Sequence, residues 1–293
     1  TYLVEAMRKF TAGAIDSGKK PAVISAIAKY TSTEISRKVL TDGMDLLGGA
    51  GISRGPRNLL ANGYMATPIG ITVEGANILT RTMIIFGQGA IRCHPFAYKE
   101  MKALEAGDVK AFDAALWGHM GHIARNTCRS FVLSLTRGWL SPSPVSGPTS
   151  KYYRRLAWAS ASFAIMADVA LGVFGGSLKM REKITGRFAD ILSWMFLGTC
   201  ALRRFEAEGR NPKHLPYVHW TLQQSLSQIQ AAFEGLFANF DVPVLSWILK
   251  APIGIWGRLN SFSSPPSDRH GHAMIQPLLE PGPLLFELEF LRR

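Results

Sequence analysis

The residues best suited to chemistry lie in one short run, Val73-Glu74-Gly75-Ala76-Asn77, which begins 25 positions after Gly48 in the turn Gly48-Gly49-Ala50-Gly51. A glutamate flanked by Ile71, Val73 and Ala76 is open to desolvation, which favours its neutral form and raises its pKa. A raised pKa suits a general base working near neutral pH. Gly75 has no Cβ to keep a ligand away from the backbone. From spacing alone, a first-turn glutamate that merely complements a helix dipole is the commoner reading. Arg81 follows within the same helical pattern, and either a solvated or a core-pairing arginine satisfies that position as well as a site residue does.

Other reactive types are less well arranged. His119 and His122 are three apart on a helical pattern and could share one face, but no third ligand lies nearby in sequence, so no metal set is read here. Cys93 and His94 are adjacent, and adjacent helical residues point apart. His270 and His272 lie in a polar stretch with no partner of ligand spacing. The three cysteines, Cys93, Cys128 and Cys200, form neither a disulfide framework nor a zinc motif, which fits a reducing compartment.

The elements that must position these residues are helical. Apolar residues recur at helical spacing along most of the 293 residues and strand signals are scarce, so the chain reads as all-α. The periodicity predicts a first helix from Thr1 to Asp16, with Leu3, Met7, Phe10 and Ala14 on one face. A second runs from Pro21 to Leu47 and stops at the glycine turn. Residues 52–70 read as a loop with turns at Arg54-Gly55-Pro56 and Thr67-Pro68, and a helix is expected from Glu74 to Arg92. Two helices occupy 95–140, parted near Gly107 with Asp108 as N-cap. After a Ser/Pro linker at 141–148 come helices at 150–173, 177–207 and 216–239, and a broken apolar segment at 242–259.

Composition bounds the function. The chain is 47% hydrophobic and 18% charged, enough for a sizeable core, and its net charge of +12 suggests an anionic partner. No nucleic-acid motif accompanies the charge, so a nucleic-acid partner is not expected. Glu5, Arg8, Lys9 and Asp16 interrupt any signal-peptide core. The run Trp158–Leu178 is long and apolar, but Asp168 sits mid-span among small residues, which favours a buried bundle helix over a spanning one. The chain opens at Thr1 within a helical pattern and reads as part of a longer protein.

Taken in order, the glycine turn, Val73-Glu74-Gly75, Arg81 and Phe86-Gly87-Gln88-Gly89-Ala90-Ile91-Arg92-Cys93-His94-Pro95 resemble the C-terminal helical domain of the acyl-CoA dehydrogenases. The last run and the long helical tail resemble the bacterial long-chain, FadE-type subclass. The resemblance implies a helical bundle over 1–95, a helical C-terminal extension over 96–265 and an irregular tail over 266–293. It further implies that Glu74 abstracts the α-proton of a fatty acyl-CoA while FAD takes hydride from the β-carbon, giving a trans-2-enoyl-CoA. Gly48, Gly49, Gly75 and Ala76 would contact the cofactor, with Gly48 and Gly49 against the FAD of a neighbouring subunit. Gly75 and Arg81 would face the substrate. Two positions depart from the family pattern. Asp45 stands where many relatives carry glutamine, and an unpaired carboxylate there repels a pyrophosphate. Ala76 replaces a frequent threonine and removes a hydroxyl.

An electron-transfer flavoprotein as acceptor, a homo-oligomer, and a cytoplasmic location peripheral to the inner membrane complete what the resemblance and the charge suggest. An acyl-CoA oxidase-like flavoprotein and a non-enzymatic membrane-interaction module are the alternatives.

Overall fold

The helical periodicity of the sequence is realised along nearly the whole chain. A computed structural model describes residues 1–279, and among the described residues there is no strand. The helices are α1 (Tyr2–Asp16), α2 (Ala22–Leu47), α3 (Ala61–Thr72), α4 (Asn77–Cys93), α5 (Ala97–Glu105), α6 (Val109–Leu135), α7 (Ser150–Phe174), α8 (Glu182–Ala207), α9 (Leu215–Ala238), a broken α10 (243–259) and α11 (Asp268–Leu279). Asp108 caps α6 as expected, its carboxylate accepting the Ala111 N–H at 3.0 Å.

Three expectations are corrected. Residues 52–70 are not all loop: Asn58 Oδ1 accepts the Leu60 and Ala61 N–H groups and starts α3, which carries Pro68 inside it. The proline removes one backbone donor from a short, largely exposed helix without ending it. On α1 the buried face is Tyr2, Leu3, Ala6, Met7 and Thr11, and Phe10 is 39% exposed, so the apolar stripe is rotated towards Tyr2. The stretch from 266 is not irregular up to residue 279, since α11 occupies it. The rest of that expected tail, 280–293, lies outside the described residues.

The centre of the bundle is α8. Its Phe188, Ile191, Leu197 and Leu202 are fully buried, and it packs against α1, α4, α7 and α9. Phe188 stacks on Phe86 of α4 with ring centroids 4.3 Å apart. Tyr2 of α1 stacks on Tyr217 of α9 and lies under the Arg204 guanidinium of α8. One hydrophobic core therefore contains Leu3, Met7, Ile27 and Phe86 from the first 95 residues together with α7, α8 and α9. The segment Ser150–Met180 is long and apolar enough to cross a membrane, yet Trp158, Ala161, Met166 and Ala170 on it are buried in this core.

A pH dependence follows from α9. Tyr152 Oη and His219 Nδ1 are hydrogen-bonded at 2.7 Å, and burial, with Lys151 and His270 nearby, pushes the His219 pKa down to about 4. The folded pKa lies below the ordinary value of 6.5, so this histidine's contribution is intact above pH 6.5. It is lost as pH falls from 6.5 towards 4, because the unfolded chain takes up the proton first. His219→Gln should flatten the fall in urea-unfolding free energy across that window, and an unchanged slope would refute it.

Candidate active site

Glu74 sits at the bend between α3 and α4, whose axes turn by 48°. It is not in the first turn of α4: the helix begins at Asn77 and Glu74 has φ +55°, the left-handed region. A non-glycine residue there is uncommon and costs about 1–3 kcal/mol, and such residues cluster at working sites. Gly75 follows at φ +94°, a conformation that glycine adopts without the clash of a Cβ.

Helix α2 grips this turn. Lys29 Nζ donates to the Gly75 carbonyl at 2.7 Å and to Asn77 Oδ1 at 2.7 Å. Asn77, 5% exposed, donates through Nδ2 to Thr33 Oγ1 at 2.9 Å and to Glu34 Oε1 at 2.7 Å. Thr80 Oγ1 also donates to the Gly75 carbonyl, at 3.2 Å. Sequence reading did not find Lys29, Thr33 or Asn77, although their spacing places Lys29 and Thr33 one turn apart on α2. Past the turn, Thr80–Gln88 of α4 is π-helical, a winding often found beside functional sites and invisible to residue patterns.

The other expected site residues fall as follows. Gly48 ends α2 at φ +55°, and no atom lies within 4 Å of a Cβ built on Gly48 or Gly49, so the turn presents bare backbone. Asp45 and Ala76 are exposed. Arg81 is turned away from this turn to α8, where Nε and Nη2 form a two-point pair with Asp190 at 2.7 and 2.5 Å. Its guanidinium lies over Gly186, where a Cβ would come within 2.7 Å of Nη1.

The expected desolvation of Glu74 by its neighbours is not seen. Glu74 is exposed, and Val73 and Ile78 beside it are 50% and 75% exposed. The bend carries these side chains outward rather than over the carboxylate. The exposed Val73 and Ile78 flank it, so the carboxylate stands among apolar side chains that the described residues leave uncovered.

Two family matches cover nearly the whole chain. Residues 2–87 match the acyl-CoA dehydrogenase C-terminal domain, and residues 91–290, well over half the chain, match the acyl-CoA dehydrogenase C-terminal region of bacterial type. The chain belongs to the acyl-CoA dehydrogenase family. No solved structure matches it. Membership makes it the C-terminal part of an oxidoreductase family whose members generally bind FAD. The boundary between the two matched regions, at 87–91, falls inside α4, so the regions share a helix as well as a core.

The clamp on the Glu74 turn yields a prediction. Lys29→Met removes both bonds that hold Gly75 and Asn77, and it should lower kcat of the full-length enzyme by about 10–100-fold with little change in KM, since a misplacement near 1 Å costs on this order. A kcat within about twofold of wild type would show that the clamp does not position Glu74.

Proposed function

We propose that this chain supplies the base and one wall of the site for FAD-dependent α,β-dehydrogenation of fatty acyl-CoA to trans-2-enoyl-CoA, a step of fatty acid β-oxidation. The observation that carries the reading is the posture of Glu74. It is held at positive φ on a turn clamped by Lys29, with the exposed apolar side chains of Val73 and Ile78 next to it in the chain. A carboxylate placed against an acyl thioester accepts a proton from the α-carbon. FAD, when bound, accepts the hydride from the β-carbon. Apolar partners packed on the exposed Val73 and Ile78 would exclude water from Glu74 and favour its neutral form.

The cofactor fits this turn in one respect and strains it in another. Gly48 and Gly49 leave room for close approach, while the exposed Asp45 carboxylate disfavours a pyrophosphate next to it. The Gly75 carbonyl is already occupied by Lys29 and Thr80, which leaves Gly75 and Ala76 to meet a cofactor through other atoms. Arg81, paired with Asp190, serves the site by tying α4 to α8 more readily than by touching substrate. Gly49→Val should weaken FAD retention or subunit association in a homo-oligomer, because a β-branched side chain fills the open approach. Unchanged flavin content together with unchanged oligomer size would remove the turn from the cofactor site.

The test of the reaction is anaerobic mixing of the full-length protein with a saturated fatty acyl-CoA. Bleaching of bound flavin with formation of the enoyl-CoA is expected, and oxidised flavin after substrate addition would overturn the reading. Slow reoxidation by air and fast reoxidation by electron-transfer flavoprotein would separate a dehydrogenase from an oxidase.

A peripheral contact with the cytoplasmic face of the inner membrane belongs to the same proposal. Along α10, Val244, Trp247 and Leu259 are 68–74% exposed beside the exposed cations Lys250 and Arg258. Exposed aromatic and aliphatic groups next to cations suit a lipid interface, with each cation contributing roughly 1 kcal/mol near an anionic surface. Co-sedimentation with phosphatidylglycerol vesicles at low salt, lost at high salt, is the expected result. Protein left in the supernatant at low salt would make the extension a packing domain.

A further inference from the structure

The helical extension holds a cavity that the reaction proposed above does not use. It measures about 560 Å³ and lies between α6, α7, α9 and α10, walled by Phe131, Trp158, Met166, Phe233, Ile253 and Trp256. That volume falls within the roughly 300–1,000 Å³ of small-molecule sites. Among the described residues no aspartate or glutamate lines it. The polar side chains on its wall are already engaged with protein groups. Ser130 Oγ is bonded to Ser162 Oγ at 2.9 Å, Trp256 Nε1 donates to Ser134 Oγ at 2.6 Å, and Gln230 Nε2 donates to the Gly257 carbonyl at 3.1 Å. Thr127 and Asn260 likewise donate to backbone carbonyls of α6. A wall with its polar atoms satisfied and the rest of its surface apolar holds water poorly and suits a hydrocarbon.

One end of the cavity carries charge. Its α7 wall begins at Trp158, and Arg155 precedes that residue by one turn on the same face. Its α6 wall ends at Leu135, and Arg137 follows, with Nε donating to Oδ1 of the cavity residue Asn260 at 2.8 Å. The end of α6 packs on the start of α7 and brings the two arginines together. A Cβ on Gly138 would come within 2.8 Å of the Arg154 carbonyl oxygen and 3.4 Å of the Arg155 amide nitrogen. Arg155 is half-buried, and among the described residues no carboxylate pairs with either arginine. Burial holds the Arg155 pKa below its ordinary value; Tyr152 opposes this, and the Arg137 charge adds to it. Two like charges held close together, one of them partly out of water, are stabilised by an anion.

We propose that this cavity binds one long-chain fatty acid, with its hydrocarbon chain between α6, α7, α9 and α10 and its carboxylate on Arg137 and Arg155. If a methylene takes about the 30 Å³ that a water occupies in the liquid, 560 Å³ holds a single chain of up to about 18 carbons. The two chains of a diacyl lipid do not fit. A planar guanidinium meets a carboxylate through two parallel hydrogen bonds, which suits the head of a fatty acid. The site shares no residue with the Glu74 turn and stands whether or not the dehydrogenase reading holds.

The experiment is titration of the delipidated full-length protein with hexadecanoate, followed by calorimetry and by tryptophan fluorescence, since Trp158 and Trp256 line the cavity. Saturable binding is expected. Arg155→Gln should weaken hexadecanoate about 10–100-fold, the worth of a hydrogen bond to a charged group. The same variant should bind hexadecanol, which has the chain without the charge, within about twofold of wild type. Ser162→Phe puts a ring into the cavity and should abolish binding of both, with the far-UV circular dichroism of wild type. If Ser162→Phe does not fold, the hexadecanoate–hexadecanol comparison in Arg155→Gln decides the matter. Three results each overturn the proposal: no saturable hexadecanoate binding, an unchanged hexadecanoate affinity in Arg155→Gln, or binding of diacyl phosphatidylglycerol in place of hexadecanoate.

Discussion

Glu74→Gln in the full-length enzyme should leave FAD bound and lower turnover by about 10²–10⁴-fold, the usual worth of a positioned base. The amide keeps the size and most of the polarity of the carboxylate but has no basic oxygen to take the α-proton. The turn should survive the change, because its hold runs through the Gly75 carbonyl and the Asn77 side chain and not through the Glu74 carboxylate. Flavin content and oligomer size therefore serve as controls. A variant keeping more than about a tenth of wild-type turnover would remove Glu74 from the role of base.

The largest effect on stability is expected at Phe188, which is fully buried and stacked on Phe86. Phe188→Ala leaves a cavity where α8 supports α4, and core substitutions of this kind cost about 3–5 kcal/mol. The Phe163 ring also packs edge-on against both phenylalanines, which limits how far the site can collapse into the space. Urea unfolding followed by circular dichroism measures the change. A loss below about 1 kcal/mol would mean that the two matched regions do not depend on a common core. Because α4 begins at the Glu74 bend, a destabilised variant of the full-length enzyme should also lose turnover.

Much of this was legible in the residues. Helix type follows from period alone, and the breaks at Gly48, at Gly107-Asp108 and at 141–148 follow from glycine, capping and proline chemistry, so these were readable without a fold. The glycine turn that ends α2 was readable from its residues, whereas Glu74 was singled out only by the resemblance of motif and order, since spacing alone favours a glutamate that complements a helix dipole. Helix α3 was missed because Thr67-Pro68 reads as a turn, and a proline's effect depends on what else holds its helix.

The sequence by itself determined the helices, the family and the candidate base. Those properties depend on neighbours within a few turns of the chain. Only the tertiary structure decided that Glu74 takes a left-handed conformation under a clamp from Lys29, 45 positions earlier, and that its carboxylate is exposed within the described residues. It alone paired Arg81 with Asp190 and assembled His94, His119, His122 and Asp168 around one point. These contacts join residues from 25 to 109 positions apart, His94 with His119 at one extreme and Arg81 with Asp190 at the other, and the free energy that selects them is burial in a shared core, which no local pattern encodes.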